Sequence, residues 1–313
     1  MVWKVFSKVP AGLMIIPMFI GIIIHTFFPG ILEIGSFTTA TFSNEGAITI
    51  MGVQLLCLGS QLRIKELGLV ARRSAVLLVS KFLLGYLGIL LLGSLAGRDG
   101  IFGISLLALV CSITNVNGSI YLSLTAAYGD EADAAVVGPL SLTNGPFLTL
   151  LVFGASGAAG FSAVSLIATV MPLLFGILAG NISKTIREFL RPGIQLLLPF
   201  IGFTLGAGID LKNVSSAGIE GILLSIIVLG IGGAFTFLCD KFIAHRPGYA
   251  GLAASATGAN AIGVPAAIAL ADPAWQPYVE SAAAQIAAVV VITAIAVPII
   301  TGVFVNKRKT GGQ

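Results

Sequence analysis

Apolar windows follow one another along almost the whole chain, at roughly 9–28, 46–62, 75–96, 101–127, 133–157, 162–180, 192–208, 216–239, 249–271 and 280–305. A helix needs roughly 20 mainly apolar residues to cross a bilayer. The 313 residues therefore accommodate ten short crossings with tight connections and leave no room for a water-soluble domain. Composition agrees: 57% of residues are hydrophobic and 10% charged, against about a quarter charged in an ordinary soluble domain. The expected fold class is an all-α polytopic membrane protein, with the lipid bilayer as its first partner.

Basic residues set the direction of such a chain, because Lys and Arg concentrate in cytoplasmic connections. With a cytoplasmic amino terminus, the inner segments carry Lys4 and Lys8; Arg63, Lys65, Arg72 and Arg73; Lys184, Arg187 and Arg191; Lys241 and Arg246; and Lys307, Arg308 and Lys309. Of the 17 basic residues these are all but Arg98 and Lys212, in outer segments, and Lys81, inside the third window. Both termini are thus expected in the cytoplasm. The connection after the fourth window departs from the pattern, with Asp130, Glu131 and Asp133 and no basic residue. A net charge of +4 could suggest nucleic acid, but the basic residues form short clusters between apolar segments and no continuous stripe; no nucleic-acid partner is expected. The first window follows Lys4 and Lys8, lacks a small-residue cleavage site and is followed by nine more, so it reads as a retained helix. Cys57, Cys111 and Cys239 are far apart inside apolar segments, with no metal-ligand or redox spacing, and read as packing residues.

An internal repeat carries more information. Pro17-Met18-Phe19-Ile20-Gly21 in window one recurs as Pro172-Leu173-Leu174-Phe175-Gly176 in window six, and Leu58-Gly59-Ser60-Gln61-Leu62 in window two as Leu205-Gly206-Ala207-Gly208-Ile209 in window seven. Ser112, Thr114 and Asn117 in window four recur as Ser255, Thr257 and Asn260 in window nine, each 143 residues on (255 − 112, 257 − 114, 260 − 117). Three matches in the same order point to duplication. Each half holds an odd number of crossings, so the second enters from the opposite side, giving two inverted five-helix repeats at 1–158 and 159–313. Inverted repeats are typical of secondary transporters.

Polar residues locate the expected chemistry. Window four contains Ser112-Ile113-Thr114-Asn115-Val116-Asn117-Gly118-Ser119, and window nine contains Ser255-Ala256-Thr257-Gly258-Ala259-Asn260, followed by Gly263 and Pro265. Neither makes a comfortable continuous helix. Unpaired backbone costs several kcal/mol in hydrocarbon, so two discontinuous helices crossing near the midplane are expected. Half-helix amino termini would face an anion there, and hydroxyls and carbonyls a cation. The alternative is plain packing, with Ser, Thr and Asn bonding between helices and Gly allowing close approach. Thr143 and Asn144 in window five and Gln285 in window ten add amide and hydroxyl groups near this crossing; Gln54 and Gln61 are weaker candidates, the latter beside Arg63. Lys81 sits about six residues from the inner end of its window, so it either snorkels to the interface or attracts an acidic substrate. Asp210, Glu220, Asp240 and Glu280 fall near window ends, which leaves no carboxylate plainly at the midplane. His25 and His245 are isolated at a window end and in a connection, and no metal centre follows from them, apart from a sodium site at the crossing.

Over nearly its whole length the chain resembles the bacterial 2-keto-3-deoxygluconate permease family. The likeness is carried by Lys8-Val9-Pro10-Ala11-Gly12, Pro17, His25-Thr26-Phe27 and Gly35-Ser36-Phe37-Thr38, then by Thr114-Asn115-Val116-Asn117-Gly118, Tyr128-Gly129-Asp130 and Gly145-Pro146. The resemblance implies a fold similar to the bile-acid/sodium symporters, the bacterial inner membrane, and proton-coupled import of 2-keto-3-deoxygluconate, a sugar-acid anion. Such a secondary active transporter needs no cofactor. A sodium-coupled symporter of another small organic anion is the alternative, and a homodimer stays open as the oligomeric state. A membrane enzyme is not supported: no nucleophile stands near a base, and there is no phosphate loop or metal cluster in the sequence.

Overall fold

A computed structural model describes residues 12–28, 30–158, 163–208 and 211–310. Lys4, Lys8, the opening Lys8 to Ala11, the junction at 159 between the expected halves, Ile209 and Asp210 lie outside them. The described chain is all-helical, its only β feature among those residues being an isolated bridge between Ile101 and Ile104. The helices that frame the molecule's centre are α1 (Gly12–Phe27), α2 (Gly46–Ser60), α3 (Ile64–Ala96), α4 (Leu106–Thr114), α5 (Gly118–Tyr128), α6 (Phe147–Ser156), α7 (Ala163–Ile182), α8 (Leu198–Gly206), α9 (Leu211–Ile227), the short α10 (Tyr249–Ala253), α11 (Val264–Ala271) and α12 (Val279–Thr310). By length and composition, five helical stretches among the described residues can cross a membrane, or six if Ala132–Thr143 and Phe147–Ser156, bent by 60°, count as one. Four shorter apolar helices lie at Ile16–Phe27, Thr49–Ser60, Met171–Ile182 and Ala259–Ala271.

One boundary differs from expectation in a way that matters later. The stretch from 64 to 74, expected as an inner connection, is the first part of the 33-residue helix α3. Its basic residues do not end the helix because Arg73 has carboxylate partners. Arg73 bonds both Asp130 and Asp133, the latter at 2.7 Å, and Arg246 bonds the same two carboxylates from another connection. Tyr249 Oη donates to Asp133 over 2.5 Å. The acidic connection that broke the charge pattern is thus neutralised by arginines from elsewhere in the sequence. Asp130 caps the helix Glu131–Ala135 in a reciprocal capping box with Asp133, and the hydrogen bond from Arg73 holds its carboxyl down to about 2.

Two bodies follow from the packing. In one, α1 runs along α8 and α2 along α7. A Cβ on Gly21 would strike the Phe203 carbonyl, and one on Gly206 the Met18 carbonyl; Gly59 meets Leu173 and Gly176 meets Leu56 in the same way. Lipid gives apolar helices no reason to prefer one another, so association rests on close packing at small residues. The glycines of the repeated motifs therefore pair crosswise, Gly21 with the Gly206 segment and Gly176 with the Gly59 segment. In the other body, α3, α6, α9 and α12 enclose the fully buried α4 and its neighbours, including Leu107, Val110, Ile262, Ile268 and Ile286.

Gly206→Val should destabilise the detergent-solubilised protein by about 1–3 kcal/mol, the range for overpacking. Gly52→Ala, where a Cβ meets nothing within 4 Å, should leave the melting temperature unchanged. A thermal melt of the two variants beside the parent checks this, and equal behaviour would remove the crosswise glycine seam from the account.

Candidate functional site

Helix α4 stops at Thr114 because Asn115 and Asn117 take extended backbone (φ −89°, ψ 147° and φ −80°, ψ 95°). Asn117 then restarts the helix as the cap of α5, its side-chain oxygen accepting from the Ile120 N–H at 3.1 Å. The second break has the same character. Helix α10 ends at Ala253, Gly258 is extended (φ −76°, ψ 150°), a 3-10 turn spans Ala259–Gly263, and Pro265 opens the first turn of α11.

The two breaks lend each other the partners they lack. Asn117 N–H donates to the Ala256 carbonyl at 2.7 Å, and Thr257 Oγ1 donates to the Ser112 carbonyl at 3.0 Å. The approach is backbone to backbone: a Cβ on Gly258 would lie 2.7 Å from the Val116 carbonyl oxygen. Neighbouring helices then brace each break. Thr114 Oγ1 and Thr149 Oγ1 are 2.6 Å apart, and Thr257 N–H donates to Thr293 Oγ1 at 3.1 Å. Asn115 uses its whole amide, Nδ2 donating to the Cys111 carbonyl at 3.0 Å and Oδ1 accepting from Gly145 N–H at 3.1 Å. Sequence reasoning missed Thr149 and Thr293, although they stand 293 − 149 = 144 residues apart, one off the spacing of the polar repeat.

Of the residues singled out from sequence, Ser112, Thr114, Asn115, Asn117, Ser255, Thr257 and Asn260 sit on the two breaks or their flanking turns. Ser112 Oγ and Asn260 Oδ1 are shut off from solvent without a hydrogen-bond partner. Ser255 and Thr143 are occupied locally, bonding Leu252 O at 2.6 Å and Leu140 O at 2.7 Å. Asn144 reaches the amino end of α5, where a Cβ on Gly118 would lie 3.7 Å from its Nδ2. Gln285 does not join this group. It bonds the Gly103 carbonyl at 2.9 Å, because Thr293 is the α12 residue at the crossing and Gln285 lies eight positions earlier, about 12 Å along the axis. Lys81 does not snorkel: it is 1% exposed. Since α3 starts at Ile64, Lys81 lies about 25 Å along the helix from that end, one turn before Gly85, which packs against Thr114. Gln54 ties Ile194 O, while Gln61 bonds Arg187 O at 3.0 Å.

A cavity of about 1050 Å³ opens between the two bodies, which pack against each other elsewhere, as where Gly263 meets Met51 and Leu205. One wall carries the α5 amino terminus, Asn117 to Ser119, with Asn144 and Gly258 to Asn260; the other carries Leu58, Gln61 and Ile194. Arg63, Lys184, Arg187 and Arg191 line its mouth with Glu188 as their acidic neighbour. This is a binding geometry for a small polar anion: a half-helix amino terminus with free N–H groups at depth, amides for hydroxyls, and positive charge along the route.

The comparisons agree in kind. A family model described as 2-keto-3-deoxygluconate permease matches residues 3–310. The chain is 40% identical over 306 residues to 2-keto-3-deoxygluconate permease 1 of Salmonella typhimurium, covering 97% of this chain and 96% of that protein. It is 33% identical over 312 residues to the 2-keto-3-deoxygluconate permease of Escherichia coli O157:H7, covering 98% and 95%. These relatives are named as permeases, not enzymes.

Thr257→Val keeps the volume at the crossing and removes the donor to Ser112 O. A buried carbonyl left without its donor costs about 1–3 kcal/mol, so the variant should melt earlier than the parent in detergent. An unchanged melting temperature would mean that the crossing is not held by this bond.

Proposed function

The chain belongs to the 2-keto-3-deoxygluconate permease family, and on that premise we propose that it is a secondary active transporter importing 2-keto-3-deoxygluconate by proton symport. The observation that carries the reading is the cavity between the two bodies, with both helix breaks in its wall and basic residues at its mouth. The sugar-acid carboxylate faces the amino end of α5 at Gly118 and Ser119. Its hydroxyls meet the amides of Asn117, Asn144 and Asn260, while Lys81 is buried a turn from the Gly85 contact with Thr114. Release then follows the cavity past Arg187 and Arg191.

The proposed layout is ten crossings in two inverted five-helix repeats, 1–158 and 159–313, in a bacterial inner membrane with both termini in the cytoplasm. Its support is the exchange of roles between halves. Gly21 and Gly176 pack against the partner half's repeated glycine segment, and Thr149 braces one break as Thr293 braces the other. Positive-inside placement of Arg63, Lys184, Arg187 and Arg191 puts the cavity mouth at the cytoplasm. Alternation then moves the body holding α4 and α5 against the body holding α1, α2, α7 and α8. A rival reading, sodium coupling, is favoured by the partnerless oxygens Ser112 Oγ and Asn260 Oδ1 at the crossing, which a cation could bridge.

In proteoliposomes, labelled 2-keto-3-deoxygluconate should accumulate under an inward proton gradient and not under a sodium gradient alone. Asn117→Ala and Asn260→Ala should each cut that uptake by about 10- to 100-fold, the equivalent of one or two lost polar contacts. Sodium-driven accumulation would transfer the reading to the rival, and full uptake by both variants would move the substrate away from the crossing. Impermeant labelling in oriented vesicles should place position 130 and both termini on the cytoplasmic side; an outer label at 130 would undo the inverted layout.

A further inference from the structure

Among the enclosed oxygens away from the crossing that have no hydrogen-bond partner are Oε2 of Glu220, on α9, and Oε1 of Gln285, on α12. Both side chains flank one residue, Gly103, in the short connection between α3 and α4. Gln285, 2% exposed, donates its Nε2 hydrogen to the Gly103 carbonyl at 2.9 Å. Gly103 holds φ at 76°, and a Cβ there would lie 2.9 Å from Glu220 Cγ and 3.1 Å from its Oε1. The helices meet closely at this level too, since a Cβ on Gly221 would lie 3.1 Å from the Gln285 carbonyl oxygen.

A buried acceptor without a donor is unfavourable, and a carboxylate beside an amide oxygen that faces no donor compounds this. One proton can answer both deficits, because a carboxyl gains an O–H donor when protonated and both side chains meet the same residue, Gly103. A metal cation would need a fuller set of oxygens, and the Gly103 carbonyl is already taken by the Gln285 amide. Other titratable or charged groups on the elements around Glu220 are Arg98 and Asp99 in the same connection, Tyr278 bonded to Asp99, Glu280 on α12, His25 near the end of α1, and Lys212 two turns earlier on α9. Arg98 is engaged by the Ala274 carbonyl and the Trp275 ring. Among the described residues no ion pair reaches Glu220.

We propose that Glu220 is the outer proton-accepting group of the coupling reaction. Its carboxylate takes one proton from the outside, and the new O–H donates to Gln285 Oε1. The assignment rests on the proton-symport reading and its orientation, which put the Gly103 connection and this end of α9 on the side from which both proton and substrate arrive. It gives the chain a carboxylate for coupling that lies outside the substrate cavity.

The full-length protein in liposomes tests this with Glu220→Gln, a near-isostere that cannot ionise, and Gln285→Leu. Glu220→Gln should exchange labelled for unlabelled 2-keto-3-deoxygluconate at equal pH within about twofold of the parent, yet lose proton-driven accumulation by about tenfold or more. Gln285→Leu withdraws the acceptor of the new O–H, so it should weaken proton-driven accumulation by about 3- to 10-fold while exchange at equal pH stays within about twofold of the parent. If Glu220→Gln loses exchange as well, Gln285→Leu decides: weakened proton-driven accumulation with exchange intact supports the proposal, and any other result overturns it. Proton-driven accumulation equal in parent and Glu220→Gln overturns the Glu220 assignment alone. Substrate exchange by a parent that no proton gradient drives overturns the symport reading, and the role of Glu220 with it.

Discussion

Everything in this chain answers to one constraint: a backbone amide or carbonyl inside hydrocarbon must find a partner within the protein. Continuous helices meet it automatically. The two interrupted ones meet it only together, through the Asn117 N–H to Ala256 carbonyl bond and the Thr257 hydroxyl to Ser112 carbonyl bond. Neither break is tenable without the other, so the polar centre is also a structural joint. The amide of Asn115 and the hydroxyls of Thr149 and Thr293 complete the pairing from neighbouring helices, which leaves the amino end of α5 directed into the cavity rather than into packing.

Much of this was legible in the sequence. Helix breaks were readable because Asn-Val-Asn-Gly and Thr-Gly-Ala-Asn oppose regular helix in any setting. The crossing was readable because exposed backbone in lipid has few other solutions. What escaped was whatever depends on how a helix is turned. Gln285 and Thr293 lie on the same helix and both carry polar side chains, yet only the second faces the crossing. Lys81 was misplaced for a related reason: hydropathy ended the third window at about residue 75, whereas arginine-carboxylate pairing lets the helix run back to Ile64. Partners from distant segments decided both outcomes, and no local pattern encodes them.

The two bodies are held in different ways. Around α4 the body is dense and cross-linked, with Arg73 and Arg246 gripping the same carboxylates and Phe153 edge-on to Trp275. The body of α1, α2, α7 and α8 is held by glycine contacts between helix backbones and leaves many large apolar side chains exposed, among them Phe175, Leu178 and Ile182. In a bilayer such side chains meet lipid tails. The α4 body also presents apolar side chains to lipid, through Leu91 and Leu95 of α3 and Ile226 of α9; a unit cross-linked by ion pairs beside one held by helix-backbone contacts, with a cavity between, is a physical basis for relative movement.

The crosswise glycine seam has an evolutionary consequence. Gly21 lies against the segment of Gly206, and Gly176 against that of Gly59, so each contact is shared between a residue of the amino-terminal part and a residue of the carboxy-terminal part. A larger side chain at any of the four positions cannot be absorbed by neighbours nearby in sequence, because the obstacle is main chain at least 114 residues away (173 − 59, the nearest of the four pairs). The two parts could diverge in their loops and cavity linings while these positions drifted little. Ancestry should therefore be read more reliably from this seam than from the polar residues that handle the solute.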